Sequence, residues 1–290
     1  MTCKPVPRVT SVAELHARIA AREPAILAAN GDVGAFRDRL IEADPEMPVR
    51  YVRGGSIPRY VEAWEEAVWG VLHRLRLWPR VRLRDALQAS SRRRRCWSVS
   101  GAELHLDIAP LSACLDPLTP RAAERNVHGL WVSSRGCRTG LHFDVFGGHN
   151  LHLSVCGRKR VWLAPPGHDE GCRSFGGHTF FLRFAGAANL ADDAACDKDM
   201  PRFVADLTAG DVLFIPAFWW HQLEHLDELN ASFTRWFYEP EATHPKMPEL
   251  SVETHLKLIA RNLIGVLVLA PIFDLIALMR ARVMRGHAKT

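Results

Sequence analysis

A mainly β domain with some α, its core a sandwich or barrel, is the fold class the sequence predicts. Two observations carry it. From about Gly129 the chain falls into short runs rich in β-branched and aromatic residues, punctuated by Gly and Pro: LWVSS, TGLHFDV, NLHLSVCG, KRVWLAPP, DVLFIPAFWWHQLEHL and ASFTRWFYE. Strands this short and evenly spaced suggest a sandwich or barrel. On either side of this region the apolar residues return at helical spacing. The expected organisation is one domain over residues 1–290, with a mixed α/β lead-in (1–125), a β core (126–240) and C-terminal helices (248–290).

In order along the chain, Ser11 is placed to cap a helix running to Ala21, and PAILA (24–28) and Val49 to Val52 read as short buried strands. Pro58 to Leu77 carries Tyr60, Trp64, Val68, Val71 and Leu75 at helical spacing, an aromatic stripe expected to be core. Arg92 to Arg95 precede a strand-like run, Cys96 to Ser100. After Pro248, Ser251 caps a helix carrying Leu256, Ile259, Ala260 and Leu263. No internal repeat or low-complexity linker divides the chain.

Composition bounds the class. With 290 residues and 48% apolar content, the chain has ample material for a packed core. The formal charge of +5 is mostly arginine, and the four-arginine run is read as a solvated face before it is read as a nucleic-acid site. The seven cysteines are scattered, odd in number and never arranged as CxxC, which argues against a disulfide framework or zinc knuckle. The N-terminus lacks the apolar core of a signal peptide, so a cytoplasmic location is the default expectation. Leu263 to Met279 is apolar but broken by Pro271 and Asp274, and falls short of the roughly 20 residues that span a bilayer. It is expected to pack or dimerise, with no transmembrane segment.

The chemistry concentrates in HFDVFGGHNLH, residues 142–152, where His142, Asp144, His149 and His152 all offer donors. On a strand, residues i and i+2 share a face, so His142 and Asp144 present an imidazole and a carboxylate to one point. A third ligand must come from elsewhere. His221 is the best placed, following an apolar strand and Trp219-Trp220. Two histidines and one carboxylate leave open positions that suit Fe(II) binding a bidentate co-substrate and O2. His105-Leu106-Asp107 has the same HxD pattern without that context and is read as a surface or strand-edge pair. His149 and His225 are read as non-ligands, one in a loop and the other beyond the ligand strand.

The ordered blocks TGLHFD, NLHLSVCGRKRVWLAPP and LTAGDVLFIPAFWWHQLEH closely resemble the cupin-like JmjC-type oxygenases, the group that includes the asparaginyl hydroxylase of hypoxia-inducible factor. The resemblance spans about residues 126–240. It implies a double-stranded β-helix (jelly-roll) core, Fe(II) held by His142, Asp144 and His221, and 2-oxoglutarate as co-substrate. By the same resemblance, Lys159 pairs with the co-substrate's distal carboxylate, Thr139 hydrogen-bonds that group, and Asn150 stands near the co-substrate. A dianion in an apolar barrel needs a waiting cation and donor. His152 faces either the interior or a satisfied strand environment.

One departure stands out. Where related hydroxylases carry an asparagine late in the final strand, this chain reads Thr234-Arg235-Trp236-Phe237. Arg235 is left three roles: replacing that contact to the co-substrate, recognising an acidic substrate group, or facing outward after a one-residue shift. The expected reaction is hydroxylation of a carbon in a protein or peptide side chain or a small metabolite. The alternatives are a demethylase or tRNA-modifying hydroxylase of the same fold, or a non-catalytic binding module. By analogy with relatives, the C-terminal helices are expected to form a homodimer burying Leu263, Val266, Leu267, Ile272 and Leu275.

Overall fold

The computed structural model describes residues 3–28, 33–34, 38, 48–52, 81–82, 96–100, 108–121, 123, 126–144, 148–166, 182–184, 190–191 and 200–239. The expected helix at 58–77, the Arg92–Arg95 run, His105 with Asp107, and the C-terminal helices lie outside these residues. Among the described residues, no helix is long and apolar enough to cross a membrane.

In chain order the strands are β1 (Lys4–Pro5), β2 (Arg8–Val9), β3 (Ala25–Ala28), β4 (Pro48–Val52), β5 (Val81–Arg82), β6 (Cys96–Ser100), β7 (Asn126–Ser133) and β8 (Arg138–Asp144). They continue as β9 (His149–Cys156), β10 (Lys159–Ala164), β11 (Leu182–Phe184), β12 (Phe203–Leu207), β13 (Asp211–Ile215), β14 (Trp220–His225) and β15 (Asn230–Phe237). Helices α1 (Val12–Ala21) and α2 (Ala109–Leu115) stand apart from the sheets. The strands form a six-stranded sheet, β1-β12-β10-β14-β8-β11, and a nine-stranded sheet, β2-β3-β13-β9-β15-β7-β6-β4-β5. Facing one another, the two make a jelly roll.

The lead-in completes both sheets: β3 pairs with β13, and β1 lies parallel to β12. Helix α1 starts where Ser11 Oγ accepts the Glu14 N–H at 3.2 Å, while the Glu14 carboxylate accepts the Thr10 N–H at 2.8 Å. It ends on Arg22 in the left-handed region, φ 55°. Its buried residues Leu15 and Ile19 pack with Leu111 and Leu115 of α2 against Leu151, Leu153, Phe214 and Phe233, covering the outer face of the larger sheet. The run 211–226, expected as a single β stretch, is two strands in opposite sheets, β13 and β14.

β9 is buried along its whole length. Alternation sends Leu151, Leu153 and Val155 to the helix-covered core, so Asn150, His152 and Ser154 point inward between the sheets. β15 repeats the pattern, with Phe233 and Phe237 outward and Ser232, Thr234 and Trp236 inward. The apolar filling between the sheets comes instead from Val161, Leu163, Leu213, Ile215 and Leu223. A jelly roll with polar residues at successive inward positions of two adjacent strands is built to hold something polar.

The GD in LTAGDVLFIP closes the turn before β13. Gly210 has φ 90° and donates its N–H to Ser154 O at 2.8 Å. Asp211 accepts from Arg8 Nη1 (2.8 Å) and Nη2 (3.0 Å), and from Thr208 N (2.8 Å) and Oγ1 (3.0 Å). Burial pushes this carboxyl up, but the Arg8 and Thr208 hydrogen bonds outweigh it and hold it below the usual carboxylate range. Asp211→Ala should therefore lower folding stability by about 2–4 kcal/mol in urea denaturation at neutral pH. Because the folded-state pKa is depressed, the contribution is present above the ordinary carboxylate pKa and lost as pH falls through the lowered value, so the variant and the parent should converge in acid.

Candidate metal centre

β8 and β14 are neighbours in the six-stranded sheet, with His142 and His221 as Cα partners. The potential ligand atoms of His142, Asp144 and His221 all lie within 4.8 Å of one another. Among the described residues this is the one such cluster of three or more His, Cys, Asp or Glu side chains. His142 Nδ1 donates to Gly140 O at 2.7 Å, and His221 Nδ1 donates to Trp219 O at 3.0 Å. A carbonyl can only accept, so both rings are fixed as Nδ1–H tautomers with the Nε2 lone pair directed to the cluster. The two rings lie 4.1 Å apart between centroids. Burial first, and then His221, push His142 well below the ordinary imidazole range, which keeps it un-ionised and able to ligate.

Local backbone detail sets these positions. The register between β14 and β8 shifts between His221 and Leu223, so that His142 faces His221 while Thr139 faces Leu223. The extra residue lies on β8, a bulge that lets Thr139 and His142 share a face despite their three-residue spacing. Ahead of His221, the buried Phe218 takes φ 62°, a conformation a bulky residue rarely adopts, and its ring meets Phe143 edge-on at 5.9 Å.

Asp144 is oriented from the opposite sheet: Trp236 Nε1 donates to its Oδ2 at 2.6 Å. In the sequence Trp236 appears only within the run Thr234-Arg235-Trp236-Phe237, with no role of its own. Partners of this kind hold a carboxylate ligand in its coordinating orientation. Trp236→Phe, which keeps the ring packing and deletes the donor, should weaken Mn(II) or Fe(II) binding 10- to 100-fold in a calorimetric titration, with little loss of thermal stability.

Farther along the barrel, Lys159 is fully buried and its Nζ donates to Ser232 Oγ and to Ala231 O at 3.3 Å. Among the described residues it has no acidic partner. Burial lowers its pKa from 10.5 to about 7. Four inward polar atoms are buried without a hydrogen-bond partner: Asn150 Oδ1, His152 Nε2, Ser154 Oγ and His225 Nδ1. Each such atom costs about 1–3 kcal/mol unless something pairs with it. A small polar anion bound here would accept the third N–H of Lys159 and the unpartnered imidazole N–H groups.

Asn150 and His152 face inward, and His152 Nδ1 lies 3.3 Å from Thr234 Oγ1. Thr139, half-buried, sits on the inner face beside Leu223. Of the three roles left to Arg235, the structure matches the third, facing out of the barrel and away from the co-substrate. Its Nη2 donates to Ser112 Oγ and Asp116 Oδ1, both at 2.6 Å, and its Nη1 to Thr119 Oγ1 at 3.0 Å. Strand alternation, with Trp236 inward, turns Arg235 to the α2 side, away from the cluster and from any co-substrate bound there. His149 is not in a loop: it opens β9, accepts the Ala217 N–H at 3.1 Å and donates to Glu239 at 3.1 Å. His225 is not beyond the ligand strand but ends it.

A jelly roll whose inner face gathers two histidines and an aspartate from two paired strands is the architecture of JmjC-type cupins. The chain belongs to the cupin-like domain family, whose sequence profile matches residues 82–243, more than half of its length. It is 33% identical over 129 residues to mouse (Mus musculus) HSPB1-associated protein 1, covering 40% of this chain and 24% of that protein. It is 29% identical over 132 residues to the cattle (Bos taurus) protein of the same name, covering 42% and 26%. It is also 26% identical over 115 residues to human (Homo sapiens) 2-oxoglutarate and iron-dependent oxygenase JMJD4, covering 37% and 26%. The chain spans about a quarter of the length of these relatives.

Proposed function

We propose that the chain is an Fe(II)- and 2-oxoglutarate-dependent oxygenase that hydroxylates a carbon of a protein or peptide side chain or of a small metabolite. The observation that carries this is the His142–Asp144–His221 cluster and the buried Lys159 on one inner face of one barrel. The similarity to a relative named for iron and 2-oxoglutarate supports the same chemistry.

In this reading His142 and His221 offer Nε2, and Asp144, held by Trp236, offers a carboxylate oxygen to the metal. Ferrous iron there supplies the O2 activation that couples oxidative decarboxylation of 2-oxoglutarate, to succinate and CO2, with insertion of one oxygen atom into a substrate C–H bond. Lys159, from β10, holds the carboxylate remote from the metal. Val161, Leu163 and Leu223 line the barrel between these ends and exclude water, which strengthens each charge contact. Asp144 is the most exposed of the three ligands, so the substrate approaches from its side.

Calorimetry tests the co-substrate assignment. Titrating 2-oxoglutarate into the protein should give one-to-one binding with Mn(II) present and little without it. Absence of binding in both conditions, or equal binding in both, contradicts the proposal.

A further inference from the structure

The inner faces of the two sheets form matched ladders. On the larger sheet, β15 and β9 place Trp236 beside Asn150, then Thr234 beside His152, then Ser232 beside Ser154. On the smaller sheet, the inward positions run from His221 beside His142 and Leu163, through Leu223 beside Thr139 and Val161, to His225 beside Lys159. The metal cluster lies at one end, and Lys159 and His225 at the other. His221 and His225 are four residues apart, about 13 Å between Cα atoms.

His225 has no structural employment for its side chain. Its backbone is fully engaged, donating to Cys137 O at 3.0 Å and accepting from Gly136 N at 2.8 Å, so the side chain is held on a stiff strand. Its Nδ1 is buried and unpartnered. Two further groups on the inner face of the opposite sheet, His152 Nε2 and Ser154 Oγ, are also buried and unpartnered. The charged neighbour that acts on His225 is Lys159, and His152 in turn feels Lys159, His225 and His221. Lysine and imidazoles with no carboxylate among the described residues form a basic end to the barrel, and a carboxylate is the group that satisfies it.

We infer that His225 is a second arm of the co-substrate site, donating a ring N–H to the carboxylate of 2-oxoglutarate remote from the metal, beside Lys159. The inference rests on the co-substrate reading above. It adds a donor from the strand that carries His221, so one β-strand addresses both ends of the dianion. The imidazole binds in its un-ionised form. Burial and Lys159 lower its pKa to about 3, which leaves one N–H to give and one lone pair.

The test compares two probes on the Mn(II)-loaded full chain by calorimetry. The first is 2-oxoglutarate, which reaches both ends of the barrel. The second is oxalate, which chelates the metal without reaching Lys159. In His225→Phe, the Kd for 2-oxoglutarate should rise at least tenfold while that for oxalate stays within about twofold. His225→Gln, which restores a donor, should recover most of the loss. An unchanged 2-oxoglutarate Kd in His225→Phe overturns the inference, as does an equal loss for both probes in both variants, which marks a merely structural histidine. If the parent protein binds oxalate but not 2-oxoglutarate, the co-substrate reading itself falls, and the inference with it.

Discussion

Replacing His142 with alanine should abolish metal-dependent turnover and reduce Fe(II) or Mn(II) affinity by at least two orders of magnitude. His142 is fixed by its Nδ1 contact to Gly140 O and by the β8–β14 pairing, which aim its Nε2 at the cluster. His149, the nearest other histidine in sequence, is committed to Ala217 and Glu239. The variant should still fold, because His142 is held un-ionised and its removal takes no charge out of the barrel. Differential scanning fluorimetry separates the two effects. At a Mn(II) concentration about 100 times Kd, the parent gains roughly 2.7 kcal/mol, whereas His142→Ala should show almost no metal-induced shift. A full metal-induced shift in the variant would remove His142 from the site.

The second large effect is expected at Lys159, with opposite signs in two assays. Lys159→Met fills the same apolar path without a charge. It should raise the Kd for 2-oxoglutarate by two orders of magnitude or more, since a buried carboxylate would then face no cation. The same substitution should stabilise the protein free of co-substrate. With the folded pKa lowered from 10.5 to about 7, the unfolded chain binds a proton that the folded chain does not throughout that window. The cost of the lysine is therefore near zero at pH 10.5, grows as pH falls, and is complete below about 7, where it amounts to a few kcal/mol. Stabilisation by Lys159→Met should follow that profile in denaturant melts. Co-substrate binding favours the ammonium form, so the parent should take up a proton on binding above about pH 7. Its affinity should then fall by up to tenfold per pH unit, a dependence absent in the methionine variant. A Lys159→Met protein that binds 2-oxoglutarate normally would contradict the assignment.

The parts of this architecture that the chain announces are those governed by local alternation. His142 and Asp144 are two residues apart on a strand with Phe143 behind them, so their shared face follows from the pleat alone. α1 was legible from Ser11 and its apolar spacing, and β7 to β10 from their punctuated runs. What depends on partner strands was hidden. Thr139 reaches the face of His142 only through a bulge set against β14, and no spacing rule reveals an unpaired residue. Arg235 lies on a strand with both faces buried, where polar and apolar residues do not alternate cleanly. A one-residue choice of register therefore decides between the barrel interior and the α2 side. His225 was misplaced for a related reason: DVLFIPAFWWHQLEHL reads as one apolar stretch, and only the turn through Phe218 divides it and fixes where β14 ends. The two-residue strands β1 and β2 owe their form to β12 and β3 and have no signature of their own.

In the proposed reaction, the metal cluster and Lys159 together drive oxidative decarboxylation of 2-oxoglutarate. Succinate formed from 2-oxoglutarate in the presence of Fe(II), ascorbate and O2 reads it directly, since slow uncoupled turnover requires no knowledge of the substrate. The parent protein should produce succinate, and His142→Ala should produce none above the protein-free background. No succinate from a folded, iron-loaded parent, or equal production by His142→Ala, would contradict the proposed activity.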